Sequence, residues 1–353
     1  MKARSLLLGL ALATCVLPTG GTRAADCAPD GNVKFVCGTV NPEDLVAVPG
    51  GDWVVVSGMN GGGIHLVNTH DHQATRIFPS ASAQEKLDSR TYSSCPGPLD
   101  AVGKEKISAH GINLRPGRGG VHTLYLVYHG ARESIEVFDL DVKTKAPTLT
   151  WVGCVVAPES VAGNAVAPLP GDGFVVTNPY RRTLPKARDL AIAGSNSGEV
   201  WEWHSSAGWT MIPGSEGRGP NGIEVSKDGK WLYINLWPAS QVVRISRGQT
   251  PVKKDVIDVT FHPDNIRWQA DGSLLTAGHY APTIEKATEC LRKKCPDAAA
   301  RVARLDPETM KAKEIVNYPS SDVFFGATAA LQVGKEIWIG SVRGDRVARY
   351  PLR

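Results

Sequence analysis

The chain has 353 residues, with 39 Lys and Arg against 35 Asp and Glu; Lys2, Arg4 and Arg23 fall in an N-terminal leader, leaving 36 basic against 35 acidic residues and a mature charge of +1. So even a balance argues against nucleic acid as a partner, and the basic runs Arg181-Arg182 and Arg292-Lys293-Lys294 read as solvated loops. No segment after the leader is long and apolar enough to cross a bilayer, so no transmembrane segment is expected.

Met1-Lys2-Ala3-Arg4, an apolar run from Ser5 to Pro18 and the small-residue site Arg23-Ala24-Ala25 read as a signal peptide over residues 1–25. Thr14 before Cys15 does not suit lipidation, and the mature chain is expected to be secreted or periplasmic. Six cysteines then remain, an even number where pairing is the default. Cys27 and Cys37 are close enough to bridge locally, as are Cys290 and Cys295, which would leave Cys95 with Cys154; spacing alone leaves the pairing open.

One pattern recurs along the rest of the chain: a short strand opening on a polar residue, a Gly-containing turn, then an alternating strand. Glu43-Asp44-Leu45 leads into Trp53-Val54-Val55-Val56, His110-Gly111-Ile112 into Thr123-Leu124-Tyr125, and Asn164-Ala165-Val166 into Phe174-Val175-Val176. Asn221-Gly222-Ile223 passes through a Lys-Asp-Gly-Lys turn to Trp231-Leu232-Tyr233, and Asp264-Asn265-Ile266 leads to Ser273-Leu274-Leu275. Phe325 to Leu331 before Glu336-Ile337-Trp338 is a sixth copy. Six further pieces close the sheets: Gly63 to Asn68, Ser134 to Leu140, Gly198 to Trp203, Gln241 to Ile245, Ala300 to Leu305 and Arg346 to Tyr350. Helical periodicity is confined to Ala81–Leu87 and Ile284–Leu291. Six modules, each too small to bury its own faces, spaced 44 to 67 residues apart at their opening residues, predict an all-β, six-bladed β-propeller with a central channel over residues 26–353. A sandwich and a β-helix are the alternatives.

In a propeller the innermost strand of every blade lines the channel, so Glu43, His110, Asn164, Asn221 and Asn265, at equivalent repeat positions, are expected to meet at one mouth. With Asp264 they make an oxygen-rich set suited to a hard cation such as calcium, whereas zinc would call for His or Cys. Singly, each Asn or Asp reads as a turn former; together they point to a metal. His65, His70 and His72 are read as hairpin and packing residues.

These segments, in this order and over nearly the whole mature chain, resemble the signature segments of the paraoxonase/arylesterase family; Asn-Gly-Ile and Asp-Asn-Ile also resemble the wider gluconolactonase and strictosidine-synthase-like propellers. The resemblance implies a catalytic calcium on Glu43, Asn164, Asn221, Asp264 and Asn265, and a second, structural calcium bound by Asp44 and the Ile112 carbonyl. The chain departs from the family where an acidic ligand is replaced by Ala165. The resemblance further implies His110 and His129 as the general-base pair and His279 as a residue lining the substrate pocket. The implied activity is hydrolysis of lactones and aryl esters, with phosphotriesters as a side reaction, on a small-molecule ester or lactone. A gluconolactonase-like sugar-lactone hydrolase and a non-enzymatic binding propeller are the alternatives, and the oligomeric state is left open.

Overall fold

The computed structural model describes residues 27–352, and the expected leader lies outside the described residues. The chain is a six-bladed β-propeller. The inner strands are Pro42–Ala47, Ser108–Arg115, Val166–Pro168, Pro220–Val225, His262–Trp268 and Ala327–Val333, for blades 1 to 6 in that order. Each runs antiparallel to the second strand of its blade, which in turn pairs with the third. Each inner strand touches the next around the ring, and the last touches the first, which closes the channel wall.

The core follows from that geometry. A four-stranded sheet of Val, Ile and Leu has two apolar faces, and each face is buried against the neighbouring blade. Thus Val46, Ile64 and Phe78 of blade 1 pack on Leu124, Phe138 and Trp151 of blade 2. Similarly Leu45 and Val56 pack on Ala329 and Trp338 of blade 6. The ring is fastened by a strand that sequence reading passed over: Lys34–Cys37 pairs antiparallel with Arg346–Arg349 as the outer strand of blade 6. The three bridges are Cys27–Cys37, Cys95–Cys154 and Cys290–Cys295.

One of the two expected helices needs correction. Residues 81–87 are not helical: Gln84–Glu85 pairs parallel to Thr150–Trp151 as a fifth strand on blade 2. The Lys86 N–H donates to Trp151 O at 2.8 Å, so the outer strand's carbonyls are satisfied there. The helix expected from Ile284 forms over Ile284–Cys290, with Thr283 as its N-cap, while short helices at Ala101–Glu105 and Ala187–Ile192 carry no sequence periodicity that reveals them. Among the described residues no helix is long and apolar enough to cross a membrane.

Candidate functional site

Five of the six inner strands share one irregularity. The register with the second strand slips between Pro42 and Asp44, Ala109 and Ile112, Pro220 and Ile223, Pro263 and Ile266, and Ala327 and Ala330. These bulges fall on Glu43, His110, Asn221, Asp264-Asn265 and Thr328. A bulge leaves residues unpaired and re-aims their side chains. In blade 3, Asn164 and Ala165 precede the strand and are held by exchange with Thr177, whose Oγ1 also accepts from Ala165 N at 3.0 Å.

The freed backbone groups are held across blades. Thr177 Oγ1 donates to Asn221 O at 2.5 Å, Asn235 Nδ2 to Asp264 O at 2.9 Å and Thr328 Oγ1 to Glu43 O at 2.6 Å. Sequence reading missed these holding residues: Thr177 and Asn235 sit on second strands and Thr328 on the inner strand of blade 6, each among apolar neighbours where a lone Thr or Asn was the available signal.

The structure brings the expected residues into one linked set. Asn265 Nδ2 donates to Glu43 Oε1 at 2.8 Å, His110 Nε2 lies 3.8 Å from the same oxygen, and Asn164 Nδ2 is 3.3 Å from His110 Nε2. The Asn221 amide faces the Asp264 carboxylate and favours its charged form. Four buried oxygens in this set have no partner: Glu43 Oε2, Asn164 Oδ1, Asn221 Oδ1 and Asn265 Oδ1. Buried acceptors of this kind are costly unless something occupies them. Burial first, then the Asp44 and Asp264 carboxylates, pushes Glu43 well above the usual carboxylate range. Asp264 is raised in the same way by burial and Asp44. Two buried carboxylates and three amide oxygens fit a hard, oxygen-seeking cation. Among the described residues no cluster of three or more His, Cys, Asp or Glu is arranged for a metal, so amide oxygens make up most of this set.

His110 continues outward into a chain. Its Nδ1 is 2.9 Å from His129 Nε2, and His129 Nδ1 is 2.6 Å from Glu133 Oε2. One set of tautomers satisfies every contact: the Asn164 amide donates to His110 Nε2, His110 Nδ1–H to His129, and His129 Nδ1–H to Glu133. Burial, with His129 second, pulls His110 down to about 3, so its imidazole is neutral at ordinary pH. Glu133 was missed because it lies in the turn after the second strand of blade 2, where an acidic residue reads as solvated.

The remaining expected residues fall elsewhere. His279 is buried beside Trp237 and His262, with Nε2 3.1 Å from the Ala287 carbonyl, so it packs under the helix Ile284–Cys290 and makes no hydrogen bond to the ring. Burial brings it down to about 4, against the Ala287 carbonyl. Asp44 and the Ile112 carbonyl lie deeper in the channel, and both accept from Arg267 Nη2. His65 is buried in a strand, His70 is exposed beside Asp52, and His72 packs on Trp338, so those three histidines do not form a site.

No family model matches the chain, and no curated protein matches it. Solved structures share its fold. Virginiamycin B lyase from Staphylococcus aureus, in a catalytically inactive form with quinupristin, is 13% identical, with 91% of this chain and 99% of that one covered and a TM-score of 0.50. A luciferin-regenerating enzyme is 12% identical over 90% of this chain and 94% of that one, with a TM-score of 0.52. The PQQ-bound aldose sugar dehydrogenase from Streptomyces coelicolor is 15% identical over 92% and 100%, also at 0.52. At these identities the likeness is one of fold.

Proposed function

We propose that this chain is an exported, calcium-dependent hydrolase of lactones and aryl esters, similar to the paraoxonases, with phosphotriesters as a side reaction. The observation that carries the reading is the set of four unpartnered buried oxygens on Glu43, Asn164, Asn221 and Asn265, directly beside a neutral histidine. Three disulfides support export from the reducing cytoplasm.

Glu43, Asn164, Asn221, Asp264 and Asn265 would hold the calcium, which when bound polarises the ester carbonyl and stabilises its developing negative charge. The chain's own residues move the protons. His110 Nε2, which accepts from the Asn164 amide in the resting site, gives up that contact and takes a proton from water as the water oxygen bonds to the carbonyl carbon. The positive charge that forms on His110 is shared through its Nδ1–H with His129, which Glu133 orients and compensates. The acyl C–O bond then breaks and the proton on His110 passes to the departing alkoxide or phenoxide. Ring opening of a lactone follows the same steps, with the leaving oxygen still tethered.

The test is hydrolysis of phenyl acetate and of a γ- or δ-lactone by the purified mature protein, with calcium, after chelation, and after calcium is restored. Activity that vanishes with the chelator and returns with calcium is the expected outcome. A folded, calcium-bound protein that turns over neither substrate would refute the hydrolase.

A further inference from the structure

Below the ring, the channel holds a residue that neither the repeat pattern nor the resemblance assigns. Arg267 lies on the inner strand of blade 5, two residues beyond Asn265, and is 2% exposed. Its guanidinium is fully engaged. Nε donates to Leu45 O at 3.1 Å and Nη1 to Ile266 O at 2.9 Å. Nη2 donates both to Asp44 Oδ2 and to the Ile112 carbonyl. Nη1 also lies 3.4 Å from Glu224 Oε1, which accepts from Asn113 Nδ2 at 3.2 Å.

Asp44 and the Ile112 carbonyl are the two groups the resemblance assigns to a second calcium. Here they are taken. Asp44 Oδ1 accepts from Leu45 N at 2.8 Å, and Oδ2 accepts from Ile112 N at 2.9 Å as well as from Arg267. A guanidinium stays charged under all ordinary conditions, so a divalent ion placed against it would meet repulsion that burial leaves poorly screened. The departure at Ala165 agrees: Ala165 is buried in one apolar cluster with Ile223, Val200 and Leu232, so an apolar side chain stands where the family carries an anionic ligand. A second calcium does not fit these residues.

We infer that Arg267 is a covalently built-in cation that takes the place of the second calcium, tying blades 1, 2 and 5 together at the channel floor and leaving the protein with one calcium at most. The contacts span those three blades through Asp44 and Leu45, Ile112, and Arg267 itself. A charged residue this buried is kept in place by its paired carboxylate and carbonyl acceptors, and breaking one side leaves an uncompensated charge. The inference concerns the floor of the channel, whereas the proposed function rests on the ring above it.

Calcium bound per chain at saturation, counted by equilibrium dialysis and elemental mass spectrometry, tests it. The wild type is expected to bind one ion, lost in Asn221→Ala and kept in Asp44→Asn. Two ions per wild-type chain, one of them lost in Asp44→Asn, overturn the inference and leave the proposed function standing. No ion at all removes the proposed calcium and still agrees with Arg267 as the resident cation. The double variant Ala165→Asp, Arg267→Ser restores the acid and removes the guanidinium. It should bind one ion more than wild type and gain thermal stability on calcium addition that wild type does not show at the floor. If it folds and binds no additional ion, the inference fails. If it folds only with calcium present, or not at all, the wild-type count decides, one ion or none supporting the inference and two overturning it.

Discussion

Glu133 shows how much a single turn residue can contribute to the proposed chemistry. It sits four residues after His129 and holds that ring at 2.6 Å, while remaining about a quarter exposed. Its side-chain partner is His129, so it acts through that ring as a positioning residue. Glu133→Gln keeps an oxygen that accepts from His129 Nδ1 and removes the negative charge. The expected result is a kcat reduced about tenfold with KM nearly unchanged. His110→Gln, which removes the base, should cost on the order of 10²–10⁴ in kcat. Initial rates against substrate concentration for both variants check this; equal kcat in Glu133→Gln and wild type would show that the charge on Glu133 plays no part.

At the scale of the strand, the site depends on bulges and on the glycines that let inner strands approach one another. A Cβ on Gly222 would lie 2.4 Å from Asp264 O and 2.7 Å from Asn265 Cα, and one on Gly111 would lie 2.4 Å from Asn164 O. Those neighbours are backbone and cannot swing aside. Gly222→Ala should therefore part blades 4 and 5 at the ring, costing about 1–3 kcal/mol and weakening calcium binding at least tenfold. Thermal melts with a calcium titration decide it, since a variant matching wild type in both would mean that the strands tolerate the spread. The same feature explains what could be read from sequence. Asn221-Gly222-Ile223 and Asp264-Asn265-Ile266 carry the polar opening, the small residue and the return to apolar alternation, so strand, channel face and ring position were all legible. Arg267 was legible only in retrospect: it follows Asn265 by two residues, which in a strand puts both on one face. Asp44 and the Ile112 carbonyl, which it joins, come from blades 1 and 2, more than 150 residues earlier in the chain, and no local pattern announces a contact at that separation.

At the scale of the whole molecule, a ring of six blades has one seam, and here it is closed by joining the two ends of the chain. Phe35 of the closing strand packs near Phe324 with Arg346 over its face, and Tyr318 donates to Asp30 at 2.6 Å, so the first described residues are tied to blades 5 and 6. The Cys27–Cys37 bridge pins the segment just before the seam. Because every blade buries its faces against two neighbours, opening the seam exposes both flanks of blade 6 and lets loss of structure pass around the ring. The bridge closes a loop of 10 residues, for which chain entropy gives about 2–3 kcal/mol. Replacing both cysteines by Ser should lower the melting temperature by several degrees within a single transition, and Phe35→Ala, which empties a buried aromatic site, should cost about 3–5 kcal/mol. Scanning calorimetry on the two variants separates covalent pinning from packing. If the Cys pair variant melts with wild type while Phe35→Ala falls sharply, strand pairing and the aromatic contact hold the seam by themselves. If both melt in two steps, blade 6 opens independently and the ring is not one cooperative unit.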